Sequence, residues 1–426
     1  MISRVCDWWS QPIGNWSPSF RRHLLWTIVV SNFLIFVALA YGYGPSMTND
    51  GVRDYTIGVF LTKSGFSLEL EDEQIKVIRD YGMAPPILYF LYHSLLGVIH
   101  LVAGEYWLHV LVLINALVQT FVNAALLIFV TRYFQSRAAL IGMSVMSVGC
   151  WEYLQWIPYS QSDTLFGALI FAVLLLTYRQ WMSLKFWEGA GWALAASFLT
   201  LVAAFFRPTA VPLLTFTFFT MVFGAFLADK SLEEKARVLG RWTPLLIGAL
   251  LITIPLLVFP SFDPSVMPEG GISDAFAHFH EKTAAGMILL SRPDYTISVP
   301  GDYAGFLLIA GLRLLCFFLF VSNDFSTSHN IVNILFFLPF YAFVGFGIWR
   351  VIWQPIEIAL QIRIICLLAI SMTVLFDTFH AVTLIDFDWR YRVPVYPALF
   401  LLATVGIDRL TMERMTRVPK HNTGPT

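Results

Sequence analysis

Apolar residues along this chain fall in separate runs near twenty residues long, the length at which a helix crosses a hydrocarbon core. Twelve such runs stand out: 23–43, 85–103, 107–131, 138–157, 164–182, 189–206, 208–228, 242–260, 303–321, 329–349, 357–377 and 394–411. The pattern predicts an all-α protein, a polytopic transmembrane helical bundle.

Basic residues decide which runs cross. If all twelve did, three basic links would lie outside the membrane: Arg132/Arg137, Arg179/Lys185, and the stretch holding Lys230, Lys235, Arg237 and Arg241. That arrangement opposes the positive-inside tendency three times. Removing 85–103 and 303–321 from the set returns all three links to the cytoplasm, with Arg350 and the tail residues Arg409, Arg414, Arg417 and Lys420. Both removed runs read as interfacial helices. The first opens with Pro85-Pro86 and carries His93 and His100; the second carries Arg313 and leads into Ser322-Asn323-Asp324.

About ten spans with both termini cytoplasmic follow. The expected organisation is a cytoplasmic N-terminus (1–22), a catalytic transmembrane module (23–260) with an outer loop at 44–106, and an outer loop with an interfacial helix (261–328). C-terminal spans (329–411) and a cytoplasmic tail (412–426) complete it, and a third outer loop falls at 378–393. The opening residues do not read as a cleavable signal peptide, and Trp8 and Trp9 suit interfacial anchoring. No internal repeat of the transporter kind is visible.

Composition agrees. Hydrophobic residues are 57% of 426 and charged residues 13%, too few to coat a water-facing globule. The net charge of −1 does not indicate a nucleic-acid partner. The four cysteines are scattered, with no metal-ligand or disulfide spacing.

Candidate chemistry gathers outside the membrane. Asp50 follows the first span, and Gly51 after it reads as a sharp turn. A partly desolvated carboxylate there suits a general base, while Asp is equally a preferred helix N-cap. Cations on the same side are Lys76, Arg79, Arg207, Arg390 and Arg392. Arginine forks suit phosphate oxygens, although snorkelling to lipid headgroups uses the same residue. Asp274, His278, His280 and Glu281 do not share one helical or strand face, so no metal site is expected. Glu152 and Asp163 flank a short outer loop, where they read either as acceptor contacts or as polar groups in water. Only Arg363 stands out as ionisable within a span.

Taken in order, these pieces resemble the C-type polytopic membrane glycosyltransferases that use polyprenyl-phosphate sugars, relatives of the protein O-mannosyltransferases and the lipid A aminoarabinose transferase. The order is Asp50, Tyr55, Gly65, Pro85-Pro86, Asp163, Arg207-Pro208, and a closing Arg-Tyr-x-x-Pro-x-x-Pro, with Arg390 or Arg392 around Tyr391, then Pro394 and Pro397. The sequence departs at Gly51, where many relatives carry a second acid, so that Asp54 competes for the counterpart. It departs again at Ala84, where a donor contact is replaced by Lys76 or Arg79 or lost. The resemblance implies Asp50 or Asp54 as base, with Tyr55, Lys76, Arg79, Asp163, Arg207, Arg390, Tyr391 and Arg392 around the substrates. It implies a polyprenyl-phosphate-sugar donor, a glycan, lipid or protein acceptor, and no cofactor; a bacterial inner membrane is the expected location. A polysaccharide polymerase or ligase and a transporter or flippase are the rival classes. The transporter would place ionisable residues deep within spans.

Overall fold

The computed structural model describes residues 17–67, 89–241, 243, 288–289, 296–297, 303–322, 325–354, 357–383 and 389–417. The protein is an all-α polytopic bundle of an integral membrane protein. Helix α1 (Pro18–Tyr43) starts where Ser17 accepts a hydrogen bond from the Phe20 amide, with Pro18 in the first helical position. Then come α2 (Asn49–Lys63), α3 (Phe90–Ala103), α4 (Trp107–Tyr133), α5 (Arg137–Gly149) and the single turn α6 (Trp151–Leu154). They are followed by α7 (Asp163–Met182), α8 (Phe186–Phe206), α9 (Val211–Phe226), α10 (Tyr303–Cys316), α11 (Thr327–Trp353), α12 (Leu360–Thr383) and α13 (Tyr396–Arg417). A two-residue ribbon pairs Ile288–Leu289 with Thr296–Ile297.

Seven helical stretches among the described residues are long and apolar enough to cross a bilayer, and they overlap seven of the ten expected spans; one of them, Phe90–Tyr133, also takes in most of the run 85–103 set apart as interfacial. The expected spans 138–157 and 208–228 form the shorter helices Arg137–Gly149 and Val211–Phe226, and 242–260 lies outside the described residues. The two runs set apart as interfacial form helices of 14 residues each, α3 and α10. Helix α3 runs into α4 through one 3₁₀ turn, Gly104–Tyr106.

The bundle is layered. The apolar windows of α12 and α13 are 83% buried, whereas that of α1 is 17% buried, so α1 faces lipid and α12 and α13 form the centre. Helix α13 packs on α11, α5 and α12, and the main core joins them through Phe337, Phe340, Tyr396 and Phe400. Polar links lock the cytoplasmic end expected from the basic residues. Asp408 of α13 accepts from the Ser136 amide (2.9 Å) and hydroxyl (2.6 Å) at the start of α5, and Lys235 donates to the Ser183 carbonyl (2.6 Å).

Candidate functional site

At the other end, α2 begins beside the segment joining α6 to α7. Thr48 caps α2 by accepting from the Gly51 amide (3.0 Å), and it also accepts from Gln161 Nε2 (2.9 Å). Asp50 is therefore not the cap, and Gly51 lies within the first helical turn instead of forming a sharp bend. Glycine is required there for a different reason. A Cβ on Gly51 would lie 1.9 Å from Ser160 Oγ and 2.8 Å from the Ser160 carbonyl oxygen. The segment is pinned by Ser46 N to the Pro158 carbonyl (2.9 Å), Ser160 N to the Ser46 carbonyl (3.1 Å), and Asn115 Nδ2 to the Ile157 carbonyl (3.1 Å). Backbone approach thus sets where Asp50 stands.

Asp50 and Asp54 are one turn apart on α2, and a single guanidinium serves both. Arg53 Nη1 donates to Asp50 Oδ1 at 3.0 Å, while its Nε and Nη2 donate to Asp54 Oδ1 at 2.9 and 2.8 Å. His93 Nε2 of α3 meets the same Asp54 oxygen at 3.0 Å. Arg390, from the 3₁₀ segment Trp389–Val395, donates Nη1 to Asp50 Oδ2 at 2.9 Å. Burial acts to raise the Asp50 carboxyl. The hydrogen bond and charge of Arg390, with the charges of Arg53 and Arg207, outweigh it and hold the carboxyl below its ordinary 3.8. Asp50 is an ionised carboxylate at neutral pH.

Beside this pair, Arg207 caps the end of α8 and is ion-paired with Asp163 at the start of α7. The Arg207 guanidinium lies 5.6 Å from the centre of the Tyr391 ring, and that ring stacks on His380 of α12 at 4.4 Å. Arg207, Arg390, Tyr391, His380 and Thr209 line one narrow crevice. Arg392 turns the other way. Its Nε donates to Glu152 Oε2 at 2.7 Å and its Nη1 to the Phe317 carbonyl at 3.1 Å, while the Tyr396 hydroxyl donates to Glu152 at 2.5 Å.

Side-chain exposure separates the three pairs: 19% and 35% for Arg390 and Asp50, 7% and 2% for Arg207 and Asp163, 1% and 5% for Arg392 and Glu152. Only the first is open to a ligand without rearrangement.

Of the sequence-derived candidates, Asp50, Asp54, Asp163, Arg207, Arg390 and Tyr391 come together. Tyr55 sits apart, its hydroxyl 2.9 Å from His100 Nδ1 and its ring stacked on Trp107 at 4.1 Å. Lys76, Arg79, Pro85-Pro86, Ala84, Asp274, His278, His280 and Glu281 lie outside the described residues. Glu152 and Asp163 are buried in ion pairs, which overturns their reading as polar groups in water. Arg363 is also not alone as an ionisable residue within a span, because α12 buries Asp377 and His380 and α13 buries Asp408. Sequence reasoning missed the roles of His93 and His380. For His93 a signal existed, a histidine one turn into the helix behind the double proline. Among the described residues no group of three or more His, Cys, Asp or Glu could hold a metal ion.

No family model, curated protein or solved structure matches the chain at a significant level.

Proposed function

We propose that the protein is an inverting membrane glycosyltransferase. It moves a sugar from a polyprenyl-phosphate donor to a lipid, glycan or protein acceptor on the extracytoplasmic face of a bacterial inner membrane. The observation that carries this reading is the Asp50–Arg390 pair, a half-exposed carboxylate beside a crevice lined by Arg207 and Arg390. Asp50 takes the acceptor hydroxyl proton, the freed oxygen attacks the anomeric carbon, and the polyprenyl phosphate leaves with its electron pair. Arginines stand where that negative charge develops. One carboxylate suffices because phosphate is already a good leaving group, unlike the alkoxide of a glycoside. Arg390 is assigned to the donor phosphate first, since it is the most exposed of the three arginines; Arg207 lies behind it, and Arg392 belongs to the scaffold. Tyr55, with His100 and Trp107, is assigned to the apolar flank where the polyprenyl chain would lie. No cofactor enters this chemistry.

The test is incubation of the purified protein with a panel of radiolabelled polyprenyl-phosphate sugars, in the wild type and Asp50→Asn. Transfer that depends on Asp50 supports the proposal; no transfer from any donor overturns it. Asp377 favours a second reading, transport. It is buried in α12 with Oδ1 lacking a hydrogen-bond partner, as an ionisable pathway residue would be. Substrate flux into proteoliposomes that is lost in Asp377→Asn would support that reading instead.

A further inference from the structure

The contacts around Asp50 continue into α3. His93 is fully buried, with Nε2 on Asp54 Oδ1 at 3.0 Å and Nδ1 lacking any hydrogen-bond partner. A carboxylate only accepts, so Nε2 carries the proton and donates it. The Tyr89 ring stacks on the imidazole at 5.6 Å and 17°. The helix carrying His93 lies backbone to backbone against α2. A Cβ on Gly58 would lie 2.4 Å from the His93 carbonyl oxygen, and one on Gly97 would lie 2.1 Å from the Gly58 carbonyl oxygen. Asp54 and Gly58 are four residues apart, so one face of α2 carries both the backbone contact and the histidine contact.

Asp54, held from α3, takes two nitrogens of Arg53 on one oxygen, at 2.9 and 2.8 Å. Guanidinium is planar and rigid, so fixing Nε and Nη2 fixes the direction of Nη1. That third nitrogen meets Asp50 Oδ1 at 3.0 Å.

We propose that His93 is a positioning residue for Asp50, acting through Asp54 and Arg53. The proposal rests on Asp50 being the base, and it assigns Asp54 to orienting Arg53. The histidine takes no substrate proton; it holds Asp54 so that Arg53 presents the Asp50 carboxylate in one orientation. A misplacement of the base by about an ångström lowers turnover by up to roughly a hundred-fold without altering how the donor binds.

The experiment compares His93→Gln, whose amide nitrogen reaches to about the position of Nε2, with His93→Leu, which fills the space and donates nothing. Expected for His93→Leu is a kcat lower by roughly ten- to a hundred-fold, with donor KM within about two-fold of wild type. His93→Gln should recover most of the loss. In an Asp54→Asn background His93→Leu should add little, because both act on one path. If His93→Leu does not fold, His93→Asn replaces it, a donor too short to reach Asp54. Full kcat in the non-donating variant, or equal loss in it and His93→Gln, overturns the proposal.

A wild type that transfers no sugar fails the reading of Asp50 as base. The brace is then read without turnover, from the thiol of an Asp50→Cys protein, titrated by the pH dependence of its alkylation. The charged groups around that position are Arg53 and Asp54 on α2, Arg390 and Arg207. Cations beside a thiol lower its pKa. Releasing Arg53 by His93→Leu should raise it, and His93→Gln should not. An unchanged thiol titration in both variants overturns the brace itself.

Discussion

Asp50 and Asp54 share one arginine, yet Asp54 is 5% exposed at its side chain and Asp50 is 35% exposed. The difference assigns them unequal work. Asp50→Asn is expected to lower turnover by on the order of 100-fold or more with donor binding kept, because the amide keeps the shape and loses the base. Asp54→Asn should be milder. Near-normal turnover in Asp50→Asn, measured on protein that still binds donor, would remove Asp50 from the chemistry. The charge around Asp50 also has a sign. Its carboxyl is held below 3.8 in the folded protein, so the resulting stability is present above that value and is lost as pH falls through the lower folded value. Turnover that depends on the Asp50 carboxylate should therefore be flat down to about pH 5. Arg390→Gln removes the largest of the lowering influences, so the acid limb should move upward. An acid limb that stays in place in Arg390→Gln would show that another group sets it. Arg207→Ala should weaken donor binding by roughly ten- to a hundred-fold, as the loss of a charge-assisted contact does, with Arg207→Lys recovering part. Unchanged affinity in both would leave Arg207 as the partner of Asp163 alone.

At the scale of elements, the site depends on how closely helices and loops approach. Gly51 lets the start of α2 lie against Ser160, and Gly58 with Gly97 lets α2 and α3 touch backbone to backbone. Close backbone approach at small residues is a general way to pack helices in lipid, where burying apolar surface gives little net drive. The 3₁₀ segment Trp389–Val395 is held differently, by the buried pair of Arg392 with Glu152 that ties it to α6. Removing one partner of a buried pair leaves an uncompensated charge, at about 3–5 kcal/mol. Glu152→Gln should therefore lower thermal stability in detergent clearly more than Asp163→Asn does, because Glu152 holds the Tyr396 hydroxyl as well as the Arg392 guanidinium. Equal or smaller loss, by a thermal-unfolding assay, would show that Glu152 is not the anchor of the segment.

Taken as a whole molecule, the chain places Asp50, Asp163, Arg207 and Arg390 at one end and Asp408, Ser136, Lys235 and Ser183 at the other. The expected sidedness is testable with single cysteines and an impermeant thiol reagent in intact cells. Ser136 is unsuitable, being buried under Asp408, but Gln135 and Ser231 are exposed on the expected cytoplasmic side and Glu105 on the outer side. Cysteines replacing Gln135 and Ser231 should be shielded and one replacing Glu105 should label; the reverse pattern would invert the proposed topology.

Much of this architecture was legible in the chain itself. A run of about twenty apolar residues must satisfy its backbone hydrogen bonds internally in lipid, so composition alone forces helices there. The basic links and the polar positions inside the runs also set α3 and α10 apart from the spans, and the order of the runs brought Asp50, Arg207 and Arg390 to one side. Tertiary structure decided which charge meets which. Arg390 and Arg392 are two residues apart with identical side chains, yet one faces Asp50 and the other Glu152, 340 and 240 positions away in the chain. Asp50 and Asp54 look alike in sequence until His93 of α3 takes one of them. Ion pairs and hydrogen bonds of this kind depend on distances near 3 Å between remote segments, and no local pattern encodes those distances. They exist only once the helices have packed.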